Sequence, residues 1–456
     1  MNAPLPYSER SAWFHEARFG MFIHYGLYSL LGRGEWVQWQ ERIPAEDYAK
    51  LAHEIHPAED CVDQWLDLAL DAGMKYAVLT TKHLEGFCLF NSSLGDFTLP
   101  AVANGRDLVR EFVDGCRARN LKVGLYYCNA DLRFPGYFEP ERYPESREDL
   151  VHTLHHHTRE LLTNYGPIDM LWFDGCFVDL GGKNDVADPA AFWRSQELLE
   201  EIYRLQPHIL VNNRLGIDAD LDTPEQHVTA SEPGRCWESC MTIGDEEAWG
   251  WCPHAANRKS VPELLKNLMT AAGGEGNYLL NIGPRPDGSV EVYDEVPLLQ
   301  MGEWLRAHGE AVYGSQRFFP GYTRHWQGGY TRKGNTVYIT LYRYSTEVPV
   351  PLLRPLPVKA SLLHNGQPLL IREGFNQGFV IEGLPEYPPV EPYPVIKLEF
   401  DAPPDRIEVE DEAAWIENAL NRRASVGNEV SFPAEACGFT PYLSPHPSNG
   451  YTPSLF

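Results

Sequence analysis

No apolar run in this chain approaches the roughly 20 residues needed to span a bilayer. Positive charge is also scarce: 38 Lys and Arg stand against 64 Asp and Glu, a formal net charge of −26. Nucleic acids and anionic membrane surfaces are therefore not expected partners, because binding them begins with a basic surface. There is no CxxC pair among the nine cysteines, so neither a zinc site nor a disulfide framework is expected. Cys88, Cys128 and Cys176 lie in or beside apolar runs and read as reduced core thiols. Gly273-Gly274-Glu275-Gly276 lacks the Lys-Ser/Thr that a phosphate loop needs, and reads as a turn. Met1 to Tyr7 carries neither a basic segment nor an apolar one. A cytoplasmic location is the default expectation, with a periplasmic or secreted one open if a leader has been trimmed.

What the chain does have is a core and many rings. Hydrophobic residues make up 43% of its 456 residues, with 12 Trp and 23 Tyr. The stretch around which the rest is organised is Ile168-Asp169-Met170-Leu171-Trp172-Phe173-Asp174-Gly175. It reads as a buried strand that ends on a carboxylate, the position where parallel α/β folds keep their chemistry. Trp172, two residues before Asp174, points to the same side of the strand. An indole wall beside a carboxylate suits a sugar ring. The competing reading, Asp174 as a helix cap, is disfavoured by the glycine that follows.

Strands and helices alternate over the first 315 residues or so. Phe19–His24, Tyr76–Thr81, Leu121–Tyr127, the Trp172 strand, Ile209–Asn212 and Tyr278–Ile282 read as strands. Amphipathic helices are expected at Cys61–Gly73, Arg106–Asn120, Leu150–Tyr165, Ala190–Leu205 and Pro262–Ala272. This is the pattern of a (β/α)8-like barrel over 1–315, irregular because eight clean pairs are not visible. Beyond Gly314, short alternating segments such as Thr336–Tyr342 and Val395–Phe400 lie between Pro- and Gly-rich turns. They predict an antiparallel β-sandwich over 316–403. Residues 404–456 are expected to run over the surface, with a helical acidic segment at Glu408–Leu420.

If the strands close a barrel, the polar residues at their ends converge on one mouth: His24, Lys82, His83, Asn129, Asp131, Asp174, Asn213 and Arg214. A fixed carboxylate without a nucleotide fingerprint makes glycoside hydrolysis the leading reaction class. That reaction needs one ionised carboxyl group and one that carries a proton. Asp174 takes the first role. Glu225, in a polar loop where a movable carboxyl could meet a leaving group, and Glu238, between two thiols, both remain candidates for the second. The competing readings are a surface carboxylate for Glu225 and a buried structural one for Glu238. His155-His156-His157 lies within a helix and faces three directions, so it is not expected to gather on a metal. The acidic Asp245-Glu246-Glu247 reads as a solvated turn.

The chain resembles the α-L-fucosidases of glycoside hydrolase family 29 from residue 10 to 315. The resemblance rests on Phe19-Gly20-Met21-Phe22-Ile23-His24-Tyr25-Gly26, Gly34-Glu35-Trp36, Thr81-Lys82-His83, Gly124-Leu125-Tyr126-Tyr127 and Leu171-Trp172-Phe173-Asp174-Gly175. It continues through Trp237–Ile243, Trp249-Gly250-Trp251 and Leu279–Gly288. It implies a retaining mechanism with Asp174 as nucleophile and no metal or cofactor. It implies a sugar pocket lined by His24, Glu35, Trp36, His83, Tyr127, Trp172 and Arg214. Glu225 would be the acid/base, since the family's acid tends to follow the strand that carries Arg214; Glu238 is the reserve. The substrate implied is a fucosylated oligosaccharide or glycoconjugate. One departure stands out. The family usually shows Lys-His-His-Asp-Gly-Phe, where this chain has Lys82-His83-Leu84-Glu85-Gly86-Phe87. Loss of one imidazole makes an α-L-galactoside an alternative substrate. A carbohydrate-binding barrel without catalysis is the other alternative, and a metal-dependent hydrolase a weaker third.

Overall fold

The computed structural model describes residues 4–176, 188–244, 248–318, 328–350, 353–373 and 378–406. The acidic turn at Asp245–Glu247 and everything from residue 407 onward, including the expected Glu408–Leu420 helix and surface tail, lie outside the described residues.

Eight parallel strands form the first sheet: β1 (Phe19–Ile23), β2 (Tyr76–Lys82), β3 (Lys122–Cys128), β4 (Met170–Asp174), β5 (Leu210–Val211), β6 (Leu221–Asp222), β7 (Cys236–Thr242) and β8 (Asn277–Ile282). Their order is β5-β4-β3-β2-β1-β8-β7-β6. The two outer strands meet through backbone bonds, Asp220 N to Val211 O at 2.8 Å and Asn213 N to Leu221 O at 3.0 Å. The sheet therefore closes on itself as a barrel, with no free edge.

Helices cover five of the seven connections, Cys61–Asp71, Leu108–Ala118, Pro144–Asn164, Ser195–Leu205 and Val261–Gly273, and Val292–His308 follows the last strand. The helix at Leu108–Ala118 illustrates why they form. Asp107 caps it by accepting from Arg110 N at 2.8 Å. Leu108, Val109, Phe112, Val113 and Cys116 then recur at helical spacing and are buried against the sheet. Cys61–Asp71 stops where Gly73 takes φ +85°, a conformation open to glycine at no steric cost. No helix separates β5 from β6 or β6 from β7. The irregularity expected of the barrel is confined to this arc.

The antiparallel part follows. Seven strands run in the spatial order Val348–Val350, Phe379–Glu382, Pro368–Glu373, Lys359–Leu362, Val395–Glu399, Thr336–Leu341 and Gly328–Lys333. Pro368 and Leu369 pair with Ser361 and Ala360, while Leu370 to Glu373 pair with Glu382 to Phe379. One strand thus passes between two sheet segments. Val337, Ile339, Ile396 and Leu398 from one segment share a core with Val348, Val350, Phe379 and Ile381 from the other, as in a sandwich. Asp405–Arg406 pairs with Leu353–Arg354. Trp304, on the last barrel helix, donates to Tyr393 O at 2.9 Å and ties the two parts together.

Candidate active site

The carboxyl ends of the strands surround a cavity of ≈ 110 Å³. Phe22 enters it from β1, His24 from just beyond that strand, Tyr126 from β3, and Trp172 and Asp174 from β4. Glu35 and Trp36 come from the loop after β1, and His83 from the loop after β2. Arg214, Glu225, Cys240 and Trp249 complete the wall on the side without helices. Gly175 turns the chain away at once, with φ +68°. A Cβ there would come within 2.9 Å of Cys128 Sγ, so the turn that presents Asp174 requires glycine.

Arg214 organises the charges. Its Nη1 donates to Asp174 Oδ1 at 3.0 Å and its Nη2 to Glu225 Oε2 at 2.8 Å. Its Nε donates to Thr223 Oγ1 at 2.9 Å, and its guanidinium lies over the Trp172 ring, 4.7 Å from the centroid. Burial works against the cation. Asp174, with Cys240 and Glu225, outweighs that cost and holds the pKa above its ordinary value. Tyr126 donates to the other oxygen of Asp174 at 3.0 Å. Glu225 is 40% exposed, against 22% for Asp174, so it stands toward the solvent side of the pair. Its segment is not a free loop. Cys240 N donates to Pro224 O at 3.1 Å and Gln226 N to Cys240 O at 3.0 Å, which moor Glu225 beside β7.

The neutral polar wall is as firmly set. Asn281 Oδ1 lies 2.7 Å from His24 Nδ1, and Asn281 Nδ2 donates to Trp249 O at 2.7 Å. Burial pushes the His24 pKa down to about 4 although Asn281 and Asp174 pull the other way, so the ring is neutral at pH 7. With Nδ1–H given to Asn281, Nε2 is left as an acceptor. His83 stacks on Tyr126 with 7° between the rings. Burial, then the nearby His24 and Lys82, hold its pKa well below the usual value. Glu35 Oε2 accepts from Trp249 N and Gly250 N, both at 2.8 Å. Burial raises its pKa to about 7 against those two donors.

Most of the residues expected in the pocket meet there, with two corrections. Tyr127 does not line the cavity; Tyr126 does. Register explains it, because Tyr126 pairs with Trp172 and Tyr127 with Phe173. Neighbours along a strand face opposite ways, so Tyr127 points to the helix layer and bonds His157 Nδ1 at 2.9 Å. Glu238 is also absent from the lining. It is fully buried beneath the pocket and bonded to Trp172 and Tyr76, the structural alternative named for it.

Lys82, Asn129 and Asp131 are buried in the strand ends rather than at the cavity, and Asn213 is exposed. Lys82 is spent on Cys128 O and Ala130 O, each at 2.9 Å. Leu84 is buried and outside the lining. His155, His156 and His157 face Trp193 O, Glu160 and Tyr127 respectively, three separate surroundings. Phe22, Tyr126, Cys240, Trp249 and Asn281 belong to the site without having been singled out. Parity with Trp172 across β3 and β4 would have found Tyr126.

This architecture is shared. Residues 3–310 match the family model described as Alpha-L-fucosidase. The chain is 30% identical to tissue alpha-L-fucosidase of Rattus norvegicus over 391 residues, covering 78% of this chain and 80% of that protein. It is 33% identical to plasma alpha-L-fucosidase of Homo sapiens over 335 residues, 66% of this chain and 69% of that one. Alpha-L-fucosidase isoenzyme 1 from Paenibacillus thiaminolyticus superposes with a TM-score of 0.76 at 32% identity, covering 86% of this chain and 99% of that one. A GH29 alpha-L-fucosidase from Bacteroides thetaiotaomicron, trapped as a covalent intermediate, gives 0.78 at 25% identity, covering 88% and 98%. With a matched stretch that spans the whole barrel and every wall of the pocket, the chain belongs to the α-L-fucosidase family.

Proposed function

We infer that this protein is a retaining, exo-acting glycoside hydrolase that removes α-linked L-fucose through a covalent glycosyl-enzyme on Asp174. The observation that carries the reading is the single guanidinium of Arg214, bonded to Asp174 on one side and Glu225 on the other. Two carboxyl groups at one closed-end pocket are what glycoside hydrolysis requires. The pocket is walled by both arcs of the barrel and opens at the carboxyl ends of the strands, which suits a terminal sugar with the rest of the glycan left outside.

In the first step an Asp174 oxygen attacks C1, the bond from C1 to the leaving oxygen breaks, and Glu225 gives that oxygen its proton. In the second, Glu225 takes a proton from water, the water oxygen attacks C1, and the bond to Asp174 breaks. One water is consumed and the sugar leaves with its configuration retained. Tyr126 and Arg214 keep Asp174 aimed, while His24 Nε2 offers an acceptor to a sugar hydroxyl. Phe22, Trp172 and Trp249 supply apolar faces for the ring and its methyl group. The relative caught as a covalent intermediate supports the two-step course. Fucosylated oligosaccharides and glycoconjugates are the substrates that fit.

The test is Asp174→Gly. Turnover of an aryl α-L-fucoside should fall by about 10⁴-fold or more, the scale of removing a nucleophile. Azide should restore release of the phenol and yield the inverted β-fucosyl azide, read by NMR. Full activity in that variant would end the assignment.

A further inference from the structure

Beneath the pocket floor lies a carboxyl group that the mechanism above does not use. Glu238 sits mid-strand in β7, two residues before the pocket-lining Cys240, so it faces the same way one layer deeper. Its side chain has no exposure to solvent. Oε1 accepts from Trp172 Nε1 at 2.8 Å and Oε2 from Tyr76 OH at 2.5 Å, so the carboxylate spans the barrel from β7 to β2 and β4. Burying a carboxylate is costly, and an apolar residue of the same size would fill this space without that cost.

What the carboxylate holds is informative. The indole of Trp172 carries Arg214 on its ring at 4.7 Å and stacks with Tyr126 at 5.6 Å, 25° between the planes. Among the described residues, Arg214 and Tyr126 are the two side chains that donate to Asp174. One indole therefore touches both, and among the described residues its N–H is held by Glu238 alone. We propose that Glu238 is a positioning residue for the hydrolysis: by fixing the Trp172 indole it places Arg214 and Tyr126, and through them the attacking oxygen of Asp174. Burial raises the Glu238 pKa to about 7, against the pull of Tyr76, Trp172 and Arg214.

The proposal rests on the hydrolase reading, and the experiment separates the two. Wild type, Glu238→Leu, Glu238→Gln and Trp172→Phe are compared on an aryl α-L-fucoside. Active sites are counted by mass-spectrometric labelling with 2-fluoro-fucosyl fluoride, so that kcat is expressed per labelled site. Glu238→Leu should lose about 100-fold in kcat with KM within about threefold. Glu238→Gln, whose carbonyl still accepts from Trp172, should recover to within about threefold of wild type. Trp172→Phe removes the N–H, so adding Glu238→Leu to it should cost little more, a non-additivity expected only if Glu238 works through that indole. A group that merely stabilises the barrel would lower Tm and the labelled fraction but leave kcat per site alone. Unchanged kcat per site in Glu238→Leu, or additive losses in the double variant, overturns the proposal. If Glu238→Leu yields no folded protein, Trp172→Phe decides alone, and unchanged kcat there overturns it. Wild type that neither hydrolyses the fucoside nor takes the label overturns the hydrolase reading instead.

Discussion

The two arcs of the barrel are built differently. From β1 to β4 each strand is followed by a helix, and apart from Asp174 the charged groups at the strand ends are packed away: Lys82 and Asp131 are 1% and 0% exposed and 3.6 Å apart. From β5 to β7 the chain turns from strand to strand without a helix, and its charged groups, Arg214 and Glu225, open on the cavity. The regular arc supplies Asp174 on a rigid strand, as a nucleophile needs. The irregular arc supplies a carboxyl group toward solvent, where a leaving group must be met. Omitting two helices is what lets the segment 223–226 lie directly beside β7 and reach the mouth. On this view the first arc is read in stability and the second in turnover, apart from the nucleophile and its immediate partners.

The largest expected effect breaks the irregular arc. Glu225→Gln keeps a donor and an acceptor beside Arg214 but has no proton to give. Turnover of a fucosyl disaccharide should fall by about 10²–10⁴-fold, the usual contribution of general acid catalysis. An aryl fucoside with an acidic phenol, which needs no protonation, should lose far less in its first step. Azide should accelerate this variant and give the retained α-fucosyl azide, the opposite anomer to that from Asp174→Gly. Equal losses on both substrates would move the acid role elsewhere.

The same division governs what could be read from the sequence. The strands β1 to β4 and β8 and the helices Cys61–Asp71 and Leu108–Ala118 were legible, because each carries an uninterrupted apolar run or a clean helical stripe. β7 was not. Its residues Cys236–Thr242 are all buried, yet they include Glu238, Ser239 and Thr242, so neither alternation nor an apolar run marks it. β6 is two residues long and invisible to any periodicity. Of the site, Asp174 and Arg214 followed from strand ends. The family motif contains both Tyr126 and Tyr127, and only the parity of Tyr126 with Trp172 tells the pocket residue from its neighbour. Asn281 lies within an apolar strand and looked like part of the core; only its contacts with His24 and Trp249 reveal its task.

The next test sharpens the stability side. Glu85, just beyond β2 in the regular arc, is 2% exposed, and its Oε2 has no hydrogen-bond partner among the described residues. Burial first, and then Asp131, push its pKa up to about 8, although Lys82 and Arg133 pull it down. In the unfolded chain a glutamate titrates near 4.3. Between those values the folded state holds a proton that the unfolded state releases, so this group's contribution to stability is lost as pH rises toward 8. Glu85→Gln cannot titrate. Its stability relative to wild type should improve by roughly 4 kcal/mol between pH 5 and pH 8, at about 1.4 kcal/mol per unit. Denaturation midpoints of both proteins at several pH values check this. A difference that does not change with pH would mean that Glu85 is ionised in the folded protein and that the regular arc tolerates a further buried charge.

The finest comparison lies between two adjacent residues of β3. Tyr126→Phe removes the tyrosine donor to Asp174 and leaves the ring stacked between His83 and Trp172. A hydrogen bond to a charged group is worth about 1.5–3 kcal/mol, so kcat/KM should drop by about 10- to 100-fold with little change in Tm. Tyr127→Phe removes only the bond to His157 Nδ1 in the helix layer. It should cost about 1 kcal/mol of stability, read by denaturant titration, and leave kcat/KM within about twofold of wild type. The two substitutions are chemically identical and one residue apart, so any difference between them measures which way the strand turns its side chains. A loss of turnover in Tyr127→Phe matching that in Tyr126→Phe would mean that the pairing of Tyr126 with Trp172 is not the one the working enzyme uses.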